Sequence, residues 1–257
     1  MKPIYKPKGR ALEYSPDALA LNIYTGCPHK CFYCFAPTVL KKNREEFHSN
    51  AEPRKGIVEA VKKQLEKGYV DYDNPLMTKG RLELKGRLIH LCFTCDPYPV
   101  DHDTSITREI IRLIKESGNH VQILTKGDET AQRDFDLLDE NDWFGVTISA
   151  LASYGTEFYA GDVLDRVSNI YKAKDRGLKT WISCEPVLNA ENIHHLLSKS
   201  KLADSVDLFR IGKLNYFPSD INWGEFGREC ERLCIEYGRN YYIKVDLRKE
   251  MDKQVGV

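Results

Sequence analysis

The 257-residue chain has no excess charge of either sign: 38 Lys and Arg stand against 38 Asp and Glu. It therefore has no global field to attract a polyanion, and any nucleic-acid binding must rest on a local patch. No apolar run approaches the roughly 20 residues that a membrane-crossing helix needs. The first ten residues are polar and carry Lys2, Lys6, Lys8 and Arg10, unlike a secretory leader. There is no internal repeat and no low-complexity linker, and the length suits one α/β domain. In that setting eight cysteines point to a reducing compartment and to metal or redox chemistry rather than disulfides. A cytoplasmic protein without membrane contact is expected.

Three of the cysteines stand together in Gly26-Cys27-Pro28-His29-Lys30-Cys31-Phe32-Tyr33-Cys34-Phe35. Their close spacing suits a loop folded round an inorganic cluster, with thiolates converging from several directions. Structural zinc fits less well, since it usually takes a close cysteine pair and a second pair of ligands further on. Thiolates also hold iron–sulfur clusters, and three of them leave one iron free to bind a substrate or cofactor. The plain alternative is three unrelated buried thiols, which such crowding disfavours.

The rest of the chain alternates short apolar runs with amphipathic stretches. Residues 1–17 are basic, carry three prolines and read as an arm or cap. A strand is expected over 18–24, ending at the cysteine loop, and residues 41–46 read as a solvated charge run. A helix fits 53–67, followed by a long polar excursion over 69–86. Strands are then expected at 88–94, 120–125, 143–150, 179–184, 206–211 and 241–245. Helices fit between them at 104–116, 129–139, 163–175, 190–199 and 221–237. This alternation predicts an α/β fold: six βα units and a closing strand in a partial, mostly parallel barrel over 18–257.

In parallel α/β folds ligands collect at the carboxyl ends of the strands, and here those ends are polar. They read Cys92-Phe93-Thr94-Cys95-Asp96, Thr125-Lys126-Gly127, Thr147-Ile148-Ser149, Ser183-Cys184-Glu185 and Arg210-Ile211-Gly212-Lys213. One such end would be an ordinary turn. Five in the same phase predict a shared site.

The cysteine loop resembles the C-x-x-x-C-x-aromatic-C motif of the radical S-adenosylmethionine (radical SAM) superfamily. Residues 18–216 resemble its spore photoproduct lyase-like branch. That resemblance implies a 4Fe–4S cluster on Cys27, Cys31 and Cys34 whose free iron chelates SAM. It further implies reductive cleavage of SAM to methionine and a 5′-deoxyadenosyl radical that abstracts hydrogen from substrate, fed by a reducing partner such as flavodoxin or ferredoxin. Matched position by position, Cys95 and Asp96 correspond to the pair near the SAM amino group. Lys126 corresponds to the lysine on its carboxylate and Ser149 to a serine nearby, while Glu185 is a plausible acceptor for ribose or substrate. Zwitterion recognition does require one anion and one cation in fixed places.

The chain also departs from the branch. Phe93 stands where the lyase has its hydrogen-returning cysteine, and Phe35 replaces the tyrosine after the motif. The hydrogen-return pathway is therefore not intact, which leaves Tyr33 and Cys95 as weak catalytic candidates. Cys92-x-x-Cys95 looks like a redox pair, but residues three apart on a strand face opposite ways. Cys95 is then expected in the SAM pocket and Cys92 in packing. Cys184, Cys230 and Cys234 could be ligands or core thiols, and His194-His195 fits a helix surface. Two substrate classes remain open. One is a nucleobase in DNA or RNA, held near Lys2–Arg10, Lys41–Arg44 and Arg210/Lys213. The other is a small molecule, peptide or protein; a non-catalytic cluster-binding protein is the third alternative.

Overall fold

The computed structural model describes residues 2–15, 18–74, 77–151 and 156–253; residues 1, 16 and 17 of the expected arm and 254–257 of the expected barrel domain lie outside them. In chain order the elements are β1 (Ile4–Tyr5), β2 (Leu19–Leu21), α1 (Ala36–Leu40), α2 (Arg44–Ser49), α3 (Ile57–Lys67), β3 (Tyr69–Asn74) and β4 (Met77–Glu83). Next come β5 (Leu88–Leu91), α4 (Ser105–Glu116), β6 (His120–Thr125), β7 (Trp143–Thr147), α5 (Val163–Asp175) and β8 (Lys179–Cys184). The last are α6 (Ala190–Leu197), β9 (Leu208–Ile211), α7 (Trp223–Glu236), β10 (Tyr241–Ile243) and α8 (Val245–Lys253).

Eight strands form one sheet in the order β1-β2-β5-β6-β7-β8-β9-β10. Every pairing is parallel except β1 with β2. Seven parallel strands make the expected six βα units and closing strand, and β1 and β10 are edges, so the barrel is open.

Alternation along the strands sorts the two faces. Ile89, Leu91, Val121, Ile123, Phe144, Val146, Ile182, Phe209 and Ile211 are buried in the main core cluster. The intervening residues include His90, Gln122, Trp181, Ser183 and Arg210, so the concave face is polar and aromatic.

Several boundaries differ from expectation for visible reasons. The strand at 18–24 is short, because Ile23 and Tyr24 turn to pair with Arg54 and Pro53 instead. That pairing holds Pro53 and Arg54 out of the helix, and a turn through Lys55 and Gly56 (φ 66°) leads the chain into α3. The excursion at 69–86 is the hairpin β3–β4, a separate two-stranded sheet. Residues Glu129–Leu137 coil as a 3₁₀ segment rather than an α-helix. The closing strand stops at Ile243, and α8 follows, packing Leu247 and Met251 against Gly227 of α7.

The arm is only partly free. Ile4 is buried and exchanges two hydrogen bonds with the Gln64 side chain (2.9 and 2.7 Å), which completes an edge strand that two residues could not hold alone. Cys184, Cys230 and Cys234 all lie in the core cluster.

Candidate functional site

The cysteine loop is held by the short helices after it. Gly26 presses so closely on α2 that a Cβ there would sit 2.3 Å from the Asn50 carbonyl and 2.4 Å from that of Phe47. The Cys27 N–H donates to the Phe47 carbonyl (3.0 Å), and His48 Nδ1 lies 2.7 Å from the Cys27 carbonyl. Arg44, expected as solvated charge, donates to the carbonyls of Cys34 (2.9 Å), Cys31 (2.7 Å) and Phe32 (2.5 Å). One guanidinium thus gathers three carbonyls of the loop.

These thiols suit a cluster rather than a single ion. A lone zinc with bonds near 2.3 Å would draw its sulfurs to within about 4 Å of one another. Among the described residues, the one set of three possible ligands with donor atoms all within 4.8 Å is His120, Asp139 and Asp142, not the cysteines. In that acidic set Lys115 already bridges Asp139 (2.7 Å) and Asp142 (2.5 Å). Three more widely spread thiols fit a polynuclear cluster with one metal left open.

Beside the loop lies a buried polar group. The Tyr33 hydroxyl donates to Glu157 and lies 3.4 Å from Ser149 Oγ, which itself donates to Glu157 (3.1 Å). Glu157 is paired with Arg166 at 2.7 Å, and Arg166 also donates to the carbonyls of Gly161 and Thr147. Burial opposes the Glu157 charge, but Arg166 and Lys126 outweigh it and hold the carboxyl below its ordinary value of 4.5. Burial pushes Tyr33 well above the usual tyrosine range, with Cys31 and Glu157 adding to the shift.

Lys126 completes the group. Its ammonium stands 5.5 Å from the centre of the Tyr33 ring, and no carboxylate lies within 4.0 Å of it among the described residues. Burial disfavours its charge, yet Cys31 and Glu157 prevail and raise its pKa. Burial pushes the Cys31 thiol up to about 11, with Lys126 acting in the opposite direction.

Asp96 is engaged on all sides. Oδ1 accepts the Tyr98 N–H (2.9 Å) and the Thr125 hydroxyl (2.5 Å), and Oδ2 accepts the Lys126 N–H (2.8 Å). His29 Nδ1 lies 3.6 Å from the same carboxylate, while its Nε2 accepts the Val100 N–H at 3.2 Å. Burial lowers the His29 pKa against the pull of Asp96, which favours the neutral ring.

The structure therefore brings together Cys27, Cys31, Cys34, Tyr33, Lys126 and Ser149, with Asp96 behind Lys126. Cys95 and Glu185 fall elsewhere. The strand ends at Leu91, and Cys92 takes a left-handed turn (φ 69°), so the opposite-face argument for Cys92 and Cys95 does not hold. Burial, with Cys95 adding to it, pushes the Cys92 thiol well above its ordinary range. Burial works against the Cys95 thiolate, but Cys92, a backbone bond at Tyr24 and Arg54 offset it and lower the pKa. Glu185 is bound by Arg10 (2.7 Å), Tyr14 (3.1 Å) and Lys244, a separate group under the arm.

Sequence reasoning missed Glu157, Arg166, His29 and Arg44. Arg44 looked like part of a charge run, and Glu157 falls between the strand and helix expected at 143–150 and 163–175, in no motif. His29 stood in plain view between two cysteines. Tyr216 and Phe217 stand at the rim: Tyr216 is 81% exposed, and Phe217 packs edge-on to Phe32 at 5.3 Å.

Comparison with known proteins fits this geometry. The family model described as the radical SAM superfamily matches residues 21–198. A structure of spore photoproduct lyase complexed with a dinucleoside spore photoproduct superposes with a TM-score of 0.61 at 15% identity, over 90% of this chain and 77% of that one. Streptococcus suis SuiB bound to S-adenosylmethionine gives 0.59 at 14% identity, over 91% of this chain and 52% of SuiB. SuiB bound to its precursor peptide SuiA gives 0.61 at 14% identity, over 95% and 54%. This chain thus spans about half of SuiB. No curated protein matches the sequence.

Proposed function

The chain belongs to the radical SAM superfamily, and on that footing we propose that Cys27, Cys31 and Cys34 hold a 4Fe–4S cluster beside a seat for S-adenosylmethionine. When bound, these cofactors supply reductive cleavage of SAM to methionine and a 5′-deoxyadenosyl radical that takes hydrogen from substrate.

The observation that carries this reading is the Lys126 ammonium, without an acidic partner within 4.0 Å among the described residues and with Cys31 among the charges acting on it. A cation kept near the thiols is suited to the SAM carboxylate. Ser149 and the Tyr33–Glu157 pair stand beside this cation. Asp96 acts through Lys126, fixing its backbone rather than presenting a free carboxylate. The 3₁₀ turn at Gly9–Glu13 and Tyr14 cover the concave face and keep water from radical chemistry there.

For the substrate we propose a nucleobase-like unit. Flat rings line the concave face: Tyr14 lies 5.8 Å from His90, 5.6 Å from Phe93 and 6.0 Å from Trp181. The photoproduct bound to spore photoproduct lyase favours this class. A peptide is the second reading, favoured by the precursor peptide on SuiB. With Phe93 in the hydrogen-return position, the reaction differs from photoproduct repair. A small electron-transfer protein of the flavodoxin or ferredoxin kind serves as reductant, in a cytoplasmic setting.

Binding of single- and double-stranded DNA and RNA at two salt concentrations tests the substrate class. A steep salt slope from phosphate contacts supports the nucleobase reading; absence of binding at low salt contradicts it.

A further inference from the structure

We propose that Arg210 and Ser183 form an oxyanion-binding subsite on the concave face of the sheet, beneath residues 13 and 14 of the N-terminal arm. The two residues are register partners on β9 and β8 and so share one face of adjacent strands. Arg210 is only 8% exposed and Ser183 is fully buried. Among the described residues, Arg210 Nε and Ser183 Oγ both lack a hydrogen-bond partner. No carboxylate lies within 4.0 Å of the Arg210 guanidinium among those residues.

That combination is costly. A buried guanidinium is ordinarily paired, and an unpaired buried donor forfeits its hydration without return. The neighbouring cations show the contrast: Lys244 is bonded to Glu185, and Arg10 to Glu185 at 2.7 Å and Asp246 at 2.9 Å. Arg210 has instead the Tyr242 ring at 5.3 Å, the Trp181 ring at 5.9 Å and one neutral acceptor, the Glu13 carbonyl. Burial dominates and lowers its pKa, with Tyr242, Tyr14 and Glu13 opposing.

Two donors on one face of adjacent strands, whose backbones run roughly 5 Å apart, can converge on the oxygens of a carboxylate or phosphate, which a guanidinium binds with charge-assisted hydrogen bonds. The Glu13 carbonyl occupies the position such an oxygen would take. The arm that carries it is held by exchangeable contacts. Its 3₁₀ turn buries no residue, and Tyr14 is tied by its hydroxyl to Glu185 (3.1 Å) and by its carbonyl to Gln122 (3.3 Å). An oxyanion on the substrate therefore enters by displacing Glu13 from Arg210. The inference rests on the proposed function only in taking the concave face as the substrate chamber.

The test needs no turnover. Purified protein is titrated with inorganic phosphate and, separately, with glutarate, against chloride of equal ionic strength. Intrinsic tryptophan fluorescence, to which Trp181 beside Arg210 contributes, and tryptic cleavage after Arg10 are followed. Saturable binding with faster cleavage of the arm is expected. Arg210→Gln should weaken it at least about ten-fold and Ser183→Ala by less, whereas Tyr14→Phe, which loosens the arm, should leave it unchanged or tighten it. Phosphate binding alone assigns a phosphate-bearing substrate, and glutarate binding alone a carboxylate. Arg210→Met separates this role from a structural one: it should abolish binding while leaving the melting temperature unchanged or higher. No saturable binding of either anion, or equal binding in Arg210→Gln, overturns the proposal. SAM cleavage is not read, so either idea can fail without the other.

Discussion

The Asp96 carboxylate accepts the backbone N–H of Lys126 at 2.8 Å and the Thr125 hydroxyl at 2.5 Å, fastening the ends of two neighbouring parallel strands. Asp96 lies on the loop after β5, and Lys126 directly follows β6. The relationship makes the lysine's position a property of the sheet rather than of a free loop.

Replacing Asp96 with Asn should therefore act first on stability. Hydrogen bonds to a buried charged group contribute roughly 1.5–3 kcal/mol, and urea unfolding should show a loss of about that size. SAM affinity should fall as a consequence of the displaced lysine. Unchanged stability with lost affinity would return Asp96 to direct contact with the cofactor.

Lys126→Ala is expected to spare the fold and the cluster but to weaken SAM binding. One charge-assisted hydrogen bond, about 1.5–3 kcal/mol, corresponds to roughly ten- to a hundred-fold in affinity. Equilibrium dialysis with reconstituted protein measures it. Equal affinity in both proteins means that the carboxylate sits elsewhere.

The parts of this site that were legible in the sequence are those with short-range signatures. Cys27, Cys31 and Cys34 stand out as one loop by their spacing, and β6, α5 and β8 fall at the expected residues because their apolar periodicity is unbroken. The illegible parts depend on distant partners. Glu185 reads as an available acceptor until Arg10, 175 residues earlier, closes on it. Glu157 reads as a loop carboxylate until Arg166 and Tyr33 enclose it. Cys92 defeats the alternation rule because a left-handed residue ends the strand at Leu91, and nothing local marks that turn. The helix α8 was hidden by the brevity of β10: 241–245 looked like one apolar run.

Glu157→Gln should expose the cost of the buried pair. Leaving Arg166 without its carboxylate at 2.7 Å is predicted to cost about 3–5 kcal/mol. The pH dependence has a definite sign. Because the folded carboxyl is held below its ordinary 4.5, its contribution is present above that value and lost as pH falls through the lower folded pKa. The wild type should lose stability over that acidic window, and the difference from Glu157→Gln should narrow there. Parallel acid-unfolding curves would contradict the assignment.

Single Ala replacements of Cys27, Cys31 and Cys34 should each bleach the brown protein or prevent reconstitution, read by iron and sulfide content. Cys92→Ala and Cys95→Ala should retain full cluster occupancy, since both pack with the main core, apart from the cluster that holds Cys31 and Cys34. A triple variant lacking Cys27, Cys31 and Cys34 that still bound four irons would move the cluster elsewhere.

The central claim is that this chain cleaves SAM reductively. It is tested most directly by anaerobic reconstitution with iron and sulfide, incubation with SAM and dithionite, and chromatography of the products. The account predicts 5′-deoxyadenosine and methionine from the wild type and none from the variant lacking Cys27, Cys31 and Cys34. A fully loaded, SAM-bound wild type that leaves SAM intact would contradict it.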